Sequence, residues 1–357
     1  MSLNPVAPRI LVIRRRYIGD LVLLAPLLRN LRLHWPEAVI TVLVDEGYAD
    51  ILALNPDCNR TLQIPRHGGR RFRRYLGLLC ELRRTHFTHV FDIDNTDRTT
   101  LLTRVTGAAF RGGFQSDQHA WRRNLAYTHI QIVDPAEYAV QSITDYYLRL
   151  LEPAGVPILT REVRLEVPPD ELAQASKLLA EKSSSNRPVI LLHPGSRSPY
   201  RIWPLERFAR VADRFQRELG ASVVLIGGAS EQNLLHEITQ KAETPIALID
   251  QSLPLALLAA VFARAQVLLC HDSGPMHIAA AVGTRVVALY SSQNRTVWAP
   301  HGAGNVALQA PLPCGGACVA PADCDPNNGY KSYCVRRISE EEVFAAVRTA
   351  LSDRPGR

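Results

Sequence analysis

The sequence predicts an α/β protein built from two Rossmann-like domains, with parallel sheets facing each other across a cleft. Three observations carry this prediction. Short, nearly all-apolar runs alternate with stretches of helical spacing, as in parallel sheets that helices cover on both faces. The alternation stops at a Pro- and Ser-rich stretch, residues 166–188, and then starts again. The 357 residues also suffice for two domains of ordinary size.

The first half of the chain alternates strands and helices. The predicted strands are 9–14, 39–45, 60–65 and 88–94, and the predicted helices are 25–35, 48–56 and 70–85. Pro56 ends the second of these helices, because proline cannot continue the hydrogen-bonded ladder. These elements define an N-terminal domain of residues 1–167.

The second half repeats the alternation. The predicted strands are 189–195, 222–228, 246–250, 267–272 and 285–291, and the predicted helices are 204–219, 230–242, 254–265 and 275–282. These elements define a C-terminal domain of residues 168–336. A last helix is predicted at 339–351, with Ser339 as N-cap and acidic residues in its first turn. We expect the segment 337–357 to pack back towards the N-terminal domain.

The positive charge is concentrated in the first part of the chain. Residues 1–130 hold 19 Arg, no Lys and 11 acidic residues, a net +8, and the remainder holds 41 − 19 = 22 basic and 34 − 11 = 23 acidic residues, a net −1. This asymmetry indicates an anionic partner: nucleic acid, an acidic glycan or an anionic membrane face. A solvated arginine-rich surface is the alternative.

The composition also bears on location. No apolar run approaches the ~18 to 20 residues that cross a bilayer. The first ten residues lack the charged and apolar regions of a secretory signal. We therefore expect a cytoplasmic protein whose seven cysteines are reduced.

The segment after the strand at 267–272 has the chemistry of an anion site, since ligands of such sheets bind beyond the carboxyl ends of the strands. Pro275 suits the first helical position and Gly283 a left-handed C-terminal cap. The N-terminus of this short helix offers backbone amides to a phosphate or diphosphate. The candidate residues of this anion site are Asp272, Ser273, Gly274 and His277. Plain N-capping, and packing in the case of the histidine, are the alternatives.

Two further segments follow strands of the same half. In H-P-G-S-R-S-P-Y-R, a turn carries the hydroxyl of Ser196 and the guanidinium of Arg201, which suit a diphosphate. In G-G-A-S-E, paired glycines let the backbone approach a ligand, and Glu231 can accept the hydroxyls of a ribose. Surface arginines and a glutamate that favours the helix dipole are the corresponding alternatives.

Asp20 is the candidate from the first half. It follows the first strand, between Arg14–Arg16 and an apolar helix. By itself it could be a helix cap. Its place after the first strand of a protein with three diphosphate-type segments favours a proton acceptor instead.

Together these segments resemble the lipopolysaccharide heptosyltransferases, glycosyltransferase family nine, which have the GT-B fold. The resemblance is carried by I-G-D at 18–20, H-P-G-S…R-x-W-P at 193–204, G-G-x-x-E at 227–231 and D-S-G-P-M-H-I-A-A-A at 272–281. The match covers nearly the whole chain, and the last motif is the most specific. The form R-R-R-Y-I-G-D is similar to the heptosyltransferase III-like branch.

The resemblance implies a role for each candidate. Asp20 matches the general base, Arg201 a basic residue that neutralises the leaving diphosphate, and Glu231 a ribose-binding acid. Ser196 matches a phosphate-binding hydroxyl, and Asp272, Ser273, Gly274 and His277 match the donor-binding turn. The implied donor is ADP-L-glycero-D-manno-heptose and the implied acceptor the inner core of lipopolysaccharide. The expected reaction is a single inverting displacement without metal or cofactor. A same-fold enzyme with another nucleotide sugar or glycan acceptor is the first alternative, and a basic nucleic-acid-binding protein the second.

Several basic residues of the first half are candidates for the anionic acceptor: Arg14, Arg66, Arg70 and Arg98. The basic amphipathic helix at 70–85 could bind core anions or rest on the anionic inner face of a Gram-negative inner membrane. A solvated helix face is the alternative.

Two clusters suggest metal sites without matching one. Asp92, Asp94 and Asp97 follow a strand, where turn chemistry is the simpler explanation. Four cysteines (Cys314, Cys318, Cys324 and Cys334) lack the paired C-x2-C spacing of structural zinc sites. No metal is expected at either cluster.

Overall fold

The chain forms two compact units, Met1–Glu166 and Val167–Arg357. The computed structural model describes residues 7–69, 71–115, 125–184, 186–311, 324–325 and 331–352. The division falls one residue before the domain boundary that the sequence suggested. Each unit contains a six-stranded sheet in which all neighbouring strands run parallel.

The first unit has the strand order β3-β2-β1-β4-β5-β6. Its strands are β1 (Arg9–Ile13), β2 (Val39–Asp45), β3 (Arg60–Ile64), β4 (His89–Asp92), β5 (Phe110–Gln115) and β6 (His129–Ile132). Its helices are α1 (Ile18–Val22), α2 (Ala25–His34), α3 (Arg71–Arg84), α4 (Asp97–Thr106), α5 (Pro135–Val140) and α6 (Ile143–Leu148). The strand order reverses between β1 and β4, which is where such sheets bind ligands.

The second unit repeats this order as β12-β11-β10-β7-β8-β9. Its strands are β7 (Val189–His193), β8 (Ser222–Ile226), β9 (Ala247–Ile249), β10 (Val267–His271), β11 (Arg285–Tyr290) and β12 (Val306–Gln309). Its helices are α7 (Pro169–Lys182), α8 (Leu205–Glu218), α9 (Gln232–Lys241), α10 (Leu255–Arg264), α11 (Gly274–Ala281), α12 (Arg295–Trp298) and α13 (Glu340–Ser352). Its reversal point lies between β7 and β10.

The core of the second unit explains why these segments form these elements. Strands β7, β8 and β10 are buried along their whole length, as the continuous apolar runs predicted. Helix α8 buries Phe208, Val211 and Phe215, which helical spacing places on one face. No helix in the described part of the chain is long and apolar enough to cross a membrane.

The C-terminal helix α13 packs into the core of the second unit. Its apolar face joins that core, where Phe344 stacks on Phe215 at 5.9 Å. Arg210 and Arg214 of α8 pair with the acids of its first turn. Ser339 does cap this helix, because its Oγ accepts a hydrogen bond from the Glu342 N–H at 3.2 Å.

Other differences concern segments with weak local signals. Residues 48–56, predicted as an α-helix, form only a 3-10 helix at Asp50–Leu54, because Asn55 is already extended before Pro56. Strands β5, β6 and β12 and helices α4 to α6 were not predicted. Gly112 and Gly113 interrupt β5, and β6 and β12 are short and only partly buried, so they lack the continuous apolar run of a central strand.

Candidate active site

The reversal point of the second unit gathers two of the segments that the sequence singled out. Cys270 of β10 lies beside His193 of β7, so the chain leaves both strands at the same edge of the sheet. The segment that begins at Gly195 therefore starts next to the turn at Asp272. This adjacency is the geometry that a phosphate-binding crevice requires.

The turn after β10 leads into α11 as predicted, one residue earlier than expected. Ser273 is the N-cap residue, but its Oγ donates to the His271 carbonyl at 3.1 Å and does not cap the helix. Gly283 has a φ of +87° and supplies the predicted left-handed exit. The first turn of α11, from Gly274, therefore keeps backbone amides that suit an anion.

Arg201 and Asp272 are brought together by this arrangement. The Nη1 of Arg201 lies 3.7 Å from the Oδ2 of Asp272, and both side chains are largely buried. Arg201 ends a short 3-10 helix, Pro199–Arg201, that follows the turn containing the partly exposed Ser196. This largely buried guanidinium places a permanent positive charge beside the N-terminus of α11.

His271 holds the loop after β7 in place. The Trp203 N–H donates to His271 Nε2 at 2.9 Å, so the ring proton is on Nδ1, which lies 3.4 Å from the Gly195 carbonyl. Burial, with His193 nearby, lowers the pKa of His271 to about 3. The ring is therefore neutral at pH 7. It contacts the loop after β7 at both Gly195 and Trp203 and so holds the two ends of this loop together.

Glu231 lies against the same loop. Its Oε2 accepts a hydrogen bond from the Gly228 N–H at 2.9 Å and lies 3.5 Å from His193 Nε2. Burial opposes ionisation, but hydrogen bonds from His193 and the Gly228 N–H outweigh it and lower the pKa of this carboxyl. A Cβ on Gly195 would come within 1.4 Å of Glu231 Oε1, so a larger residue there would require the carboxylate to move from this position.

His277 is buried in the first turn of α11. Its Nδ1 has no hydrogen-bond partner among the residues that the structure describes. Burial, with a contribution from His301, lowers the pKa of His277 to about 3. A neutral histidine can donate or accept a hydrogen bond there but carries no charge to a diphosphate.

The reversal point of the first unit holds Asp20. Ile13 of β1 pairs with Asp92 of β4, so Arg14 and Asp94 leave the sheet at the same edge. The Arg14 guanidinium donates from Nη1 to Asp94 Oδ1 at 2.7 Å and from Nη2 to Asp20 Oδ1. Arg14, expected to bind the acceptor, thus bridges two carboxylates of its own unit.

The surroundings of Asp20 leave one of its oxygens available. The residue is 7% exposed, in the single short turn of α1. The Tyr147 hydroxyl donates to Oδ1 at 3.1 Å, the oxygen that Arg14 also contacts. No hydrogen bond between described residues reaches Oδ2. Burial raises the pKa of Asp20 above its usual value even though Arg14 and Tyr147 act against it.

Arg15 and Arg16, which follow Arg14 in the sequence, pair with a carboxylate of the same unit. Arg15 is buried and donates to both oxygens of Asp45, at 2.8 and 3.0 Å. Arg16 and Arg66 also lie near Asp45, at 3.4 and 3.9 Å. The buried Asp45 therefore lies within ion-pair distance of three arginines.

The other predicted residues are less informative. Arg98 is partly buried in the first turn of α4, and Arg70, Cys314 and Cys318 lie outside the described residues. Asp92 is fully buried and accepts the N–H groups of Asp94 and Asn95 at 3.1 and 3.0 Å, which is the turn chemistry expected after a strand. Within the described ranges, no group of three His, Cys, Asp or Glu residues could hold a metal.

Sequence reasoning missed three residues of these sites. Tyr147, His193 and His271 were not singled out, although each is buried and contacts a candidate or its loop. The two histidines do end central strands, a position that could have flagged them. Tyr147 lies in an ordinary helical stretch and gives no local signal.

Comparisons with known proteins place the chain among glycosyltransferases. The model of the family described as glycosyltransferase family 9 (heptosyltransferase) matches residues 76–322. Lipopolysaccharide heptosyltransferase 3 of Escherichia coli K12 is 27% identical over 349 residues, which cover 95% of this chain and 96% of that protein.

Two solved structures share the fold over nearly their whole length. The glycosyl transferase family 9 protein of Veillonella parvula is 26% identical, with a TM-score of 0.81 and 99% coverage of both chains. The ADP-heptose lipopolysaccharide heptosyltransferase II of E. coli is 21% identical, with a TM-score of 0.76 and coverage of 96% of this chain and 98% of that one. The expected GT-B class, with two Rossmann-like domains, is thereby confirmed.

Proposed function

This chain belongs to glycosyltransferase family 9, the heptosyltransferases, and we propose that it moves a heptose from ADP-L-glycero-D-manno-heptose to the inner core of lipopolysaccharide. The relative named lipopolysaccharide heptosyltransferase 3, which aligns over 95% of the chain, supports this acceptor. The solved ADP-heptose lipopolysaccharide heptosyltransferase II of E. coli supports this donor. The motif R-R-R-Y-I-G-D agrees with a branch that adds a side-branch heptose.

The observation that carries the mechanism is the environment of Asp20. In the proposed reaction, an acceptor hydroxyl attacks the anomeric carbon of the heptose and transfers its proton to Asp20 Oδ2. The bond between the anomeric carbon and the phosphate oxygen breaks, and ADP leaves with the electron pair. One in-line displacement inverts the anomeric centre. A buried carboxylate with a raised pKa, one of whose oxygens accepts no hydrogen bond from the described residues, suits this role.

The second unit supplies the donor site of the proposal. The diphosphate binds the amides at the N-terminus of α11 and the Arg201 guanidinium, which stabilise the charge that develops as ADP leaves. Ser196 contributes its hydroxyl to the diphosphate, and Glu231, held ionised beside Gly195, accepts the ribose hydroxyls. Asp272 orients Arg201 across 3.7 Å.

Donor identity is tested by thermal protection with a panel of nucleotide sugars. ADP-heptose at 100 times its Kd is expected to add about 2.7 kcal/mol to the free energy of unfolding. UDP- and GDP-sugars at the same concentration serve as controls and should add much less. Protection by one of these, with none from ADP-heptose, would assign the chain to another donor within the same fold.

We further propose that α3 rests on an anionic membrane surface, where the acceptor is anchored. Its inner face packs Leu78 and Leu82 into the core of the first unit. Its outer face exposes Phe72 (74%) and Leu76 (44%), one helical turn apart, beside the exposed Arg73. Apolar side chains flanked by arginines suit the boundary between lipid headgroups and acyl chains.

Replacing Phe72 and Leu76 with serine is expected to weaken binding to vesicles with anionic lipid at least tenfold, because both side chains lose their burial in the acyl region. Co-sedimentation with vesicles of phosphatidylglycerol and phosphatidylcholine measures this. Leu101→Ser, at a site 53% exposed on α4, is the matched control and should bind as the unmodified protein does. Equal binding by all three proteins would contradict the proposal.

A further inference from the structure

The hydrogen bonds around Asp20 connect it to three side chains of its own unit. Arg14 is the centre of this set, with Asp94 on one side and Asp20 on the other. The Arg14 Nε is buried and has no hydrogen-bond partner among the described residues. The two carboxylates therefore orient the guanidinium, while its third donor, Nε, is left without a partner among these residues. We conclude that the bridge between Asp94 and Asp20 fixes the Arg14 side chain.

Asp94 is itself held in place. Its Oδ2 accepts the Arg15 backbone N–H at 3.1 Å, and its own N–H donates to the buried Asp92 at 3.1 Å. The turn after β4 is thus tied to the end of β1, and Asp94 Oδ1 meets Arg14 from a fixed position. Asp94 therefore determines where the second nitrogen of the Arg14 fork points.

Tyr147 approaches Asp20 from α6. It is 2% exposed, and its hydroxyl donates to the same oxygen that Arg14 contacts. The Arg14 guanidinium also lies 5.7 Å from the centre of its ring. Burial raises the pKa of Tyr147 well above its usual value, so the hydroxyl keeps its proton and acts as a donor. Asp94 also acts electrostatically on Asp20 and raises its pKa. Tyr138 lies nearby, where burial and then the charge of Asp20 raise the pKa of its hydroxyl.

We propose that Tyr147 and the Arg14–Asp94 pair are positioning residues for Asp20: together they fix Oδ1, so that Oδ2 is the oxygen presented to the acceptor hydroxyl. This inference rests on the proposed function of Asp20 as the base. Two donors on one oxygen hold the carboxylate plane against rotation about the Cβ–Cγ bond. Arg14 in addition favours the ionised form that a base needs.

Tyr147→Phe removes one hydroxyl and keeps the ring, so it is the main test. We expect kcat to fall about tenfold with the KM for ADP-heptose unchanged. Since the lost hydrogen bond favoured the carboxylate, the pKa of Asp20 rises and the acid limb of the kcat/KM profile moves to higher pH. Tyr138→Phe is the matched control, because its hydroxyl makes no hydrogen bond to Asp20, and its profile should stay in place.

Arg14→Lys and Asp94→Ala test the bridge from its other end. Lysine keeps the charge but cannot reach two carboxylates in fork geometry, and Asp94→Ala releases the fork, so both should lower kcat while ADP binding persists. Asp94→Asn keeps an acceptor oxygen for Arg14 and should restore part of the rate.

The outcomes separate this inference from the proposed function. Full transfer by an Asp20→Asn variant would show that Asp20 is not the base, and the positioning role inferred for Tyr147 and Arg14 would then fail as well. An inactive Asp20→Asn together with an unshifted pH profile and unchanged kcat for Tyr147→Phe would overturn the positioning role alone. A loss of activity that only follows a loss of thermal stability, with no movement of the acid limb, would also overturn it.

Discussion

Asp20→Asn is expected to lower kcat by about 10³-fold, within the range that general-base catalysis contributes, while ADP still binds. The amide keeps the size of the side chain and the oxygen that accepts from Tyr147, but it cannot take a proton. A transfer assay with ADP-heptose and a core acceptor measures kcat, and calorimetry with ADP measures binding. The acid limb of the unmodified enzyme should also lie above the ordinary range of an aspartate, because burial raises the pKa of Asp20.

The control for this variant is another buried carboxylate of the same unit. Asp57 is 5% exposed and pairs with Arg29 at 3.2 Å. It lies just before β3, and not in the segments that follow β1 and β4. Asp57→Asn removes a comparable charge and is expected to leave kcat unchanged. If Asp20→Asn transferred heptose as fast as Asp57→Asn, Asp20 would not be the base.

The largest effect on stability is expected for Trp203→Ala. Trp203 is fully buried, packs edge-on against Phe208 at 5.1 Å, and donates from Nε1 to the Ile338 carbonyl at 2.9 Å. Its removal leaves a cavity, and we expect a loss of about 3 to 5 kcal/mol in the free energy of unfolding. Denaturant unfolding measures this value.

The position of Trp203 gives this variant a second, functional consequence. Its backbone N–H anchors the loop of Ser196 and Arg201 to His271, so a collapsed cavity would displace the donor-binding loop. ADP is therefore expected to protect the variant less than the unmodified protein at equal concentration. Phe72→Ala, at a side chain 74% exposed, is the matched aromatic control and should change stability by less than about 0.5 kcal/mol. An equally small change for Trp203→Ala would contradict the packing argument.

Much of the fold could be predicted because its signals are local. The central strands are continuous apolar runs, and α11 is delimited by Pro275 and Gly283, so both are visible within a few residues of sequence. The segments that follow these strands could be assigned to one edge of a sheet, because the carboxyl ends of parallel strands meet there. Strand β5, which lies between β4 and β6, was not predicted because paired glycines replace its apolar pattern.

The sequence by itself determined the fold class and the family. It also determined the candidates Asp20, Arg201 and Glu231, because each lies in the segment that follows a recognisable strand. Only the tertiary structure decided what surrounds them. Tyr147 lies 127 residues from Asp20, and Asp94 lies 80 residues from Arg14, so no local pattern links them. Arg14 and Asp94 meet because β1 pairs with β4, which brings both to one edge of the sheet. Tyr147 reaches Asp20 because α6 packs against α2. Arg14, which we expected to bind the acceptor, is held in the structure between Asp94 and Asp20.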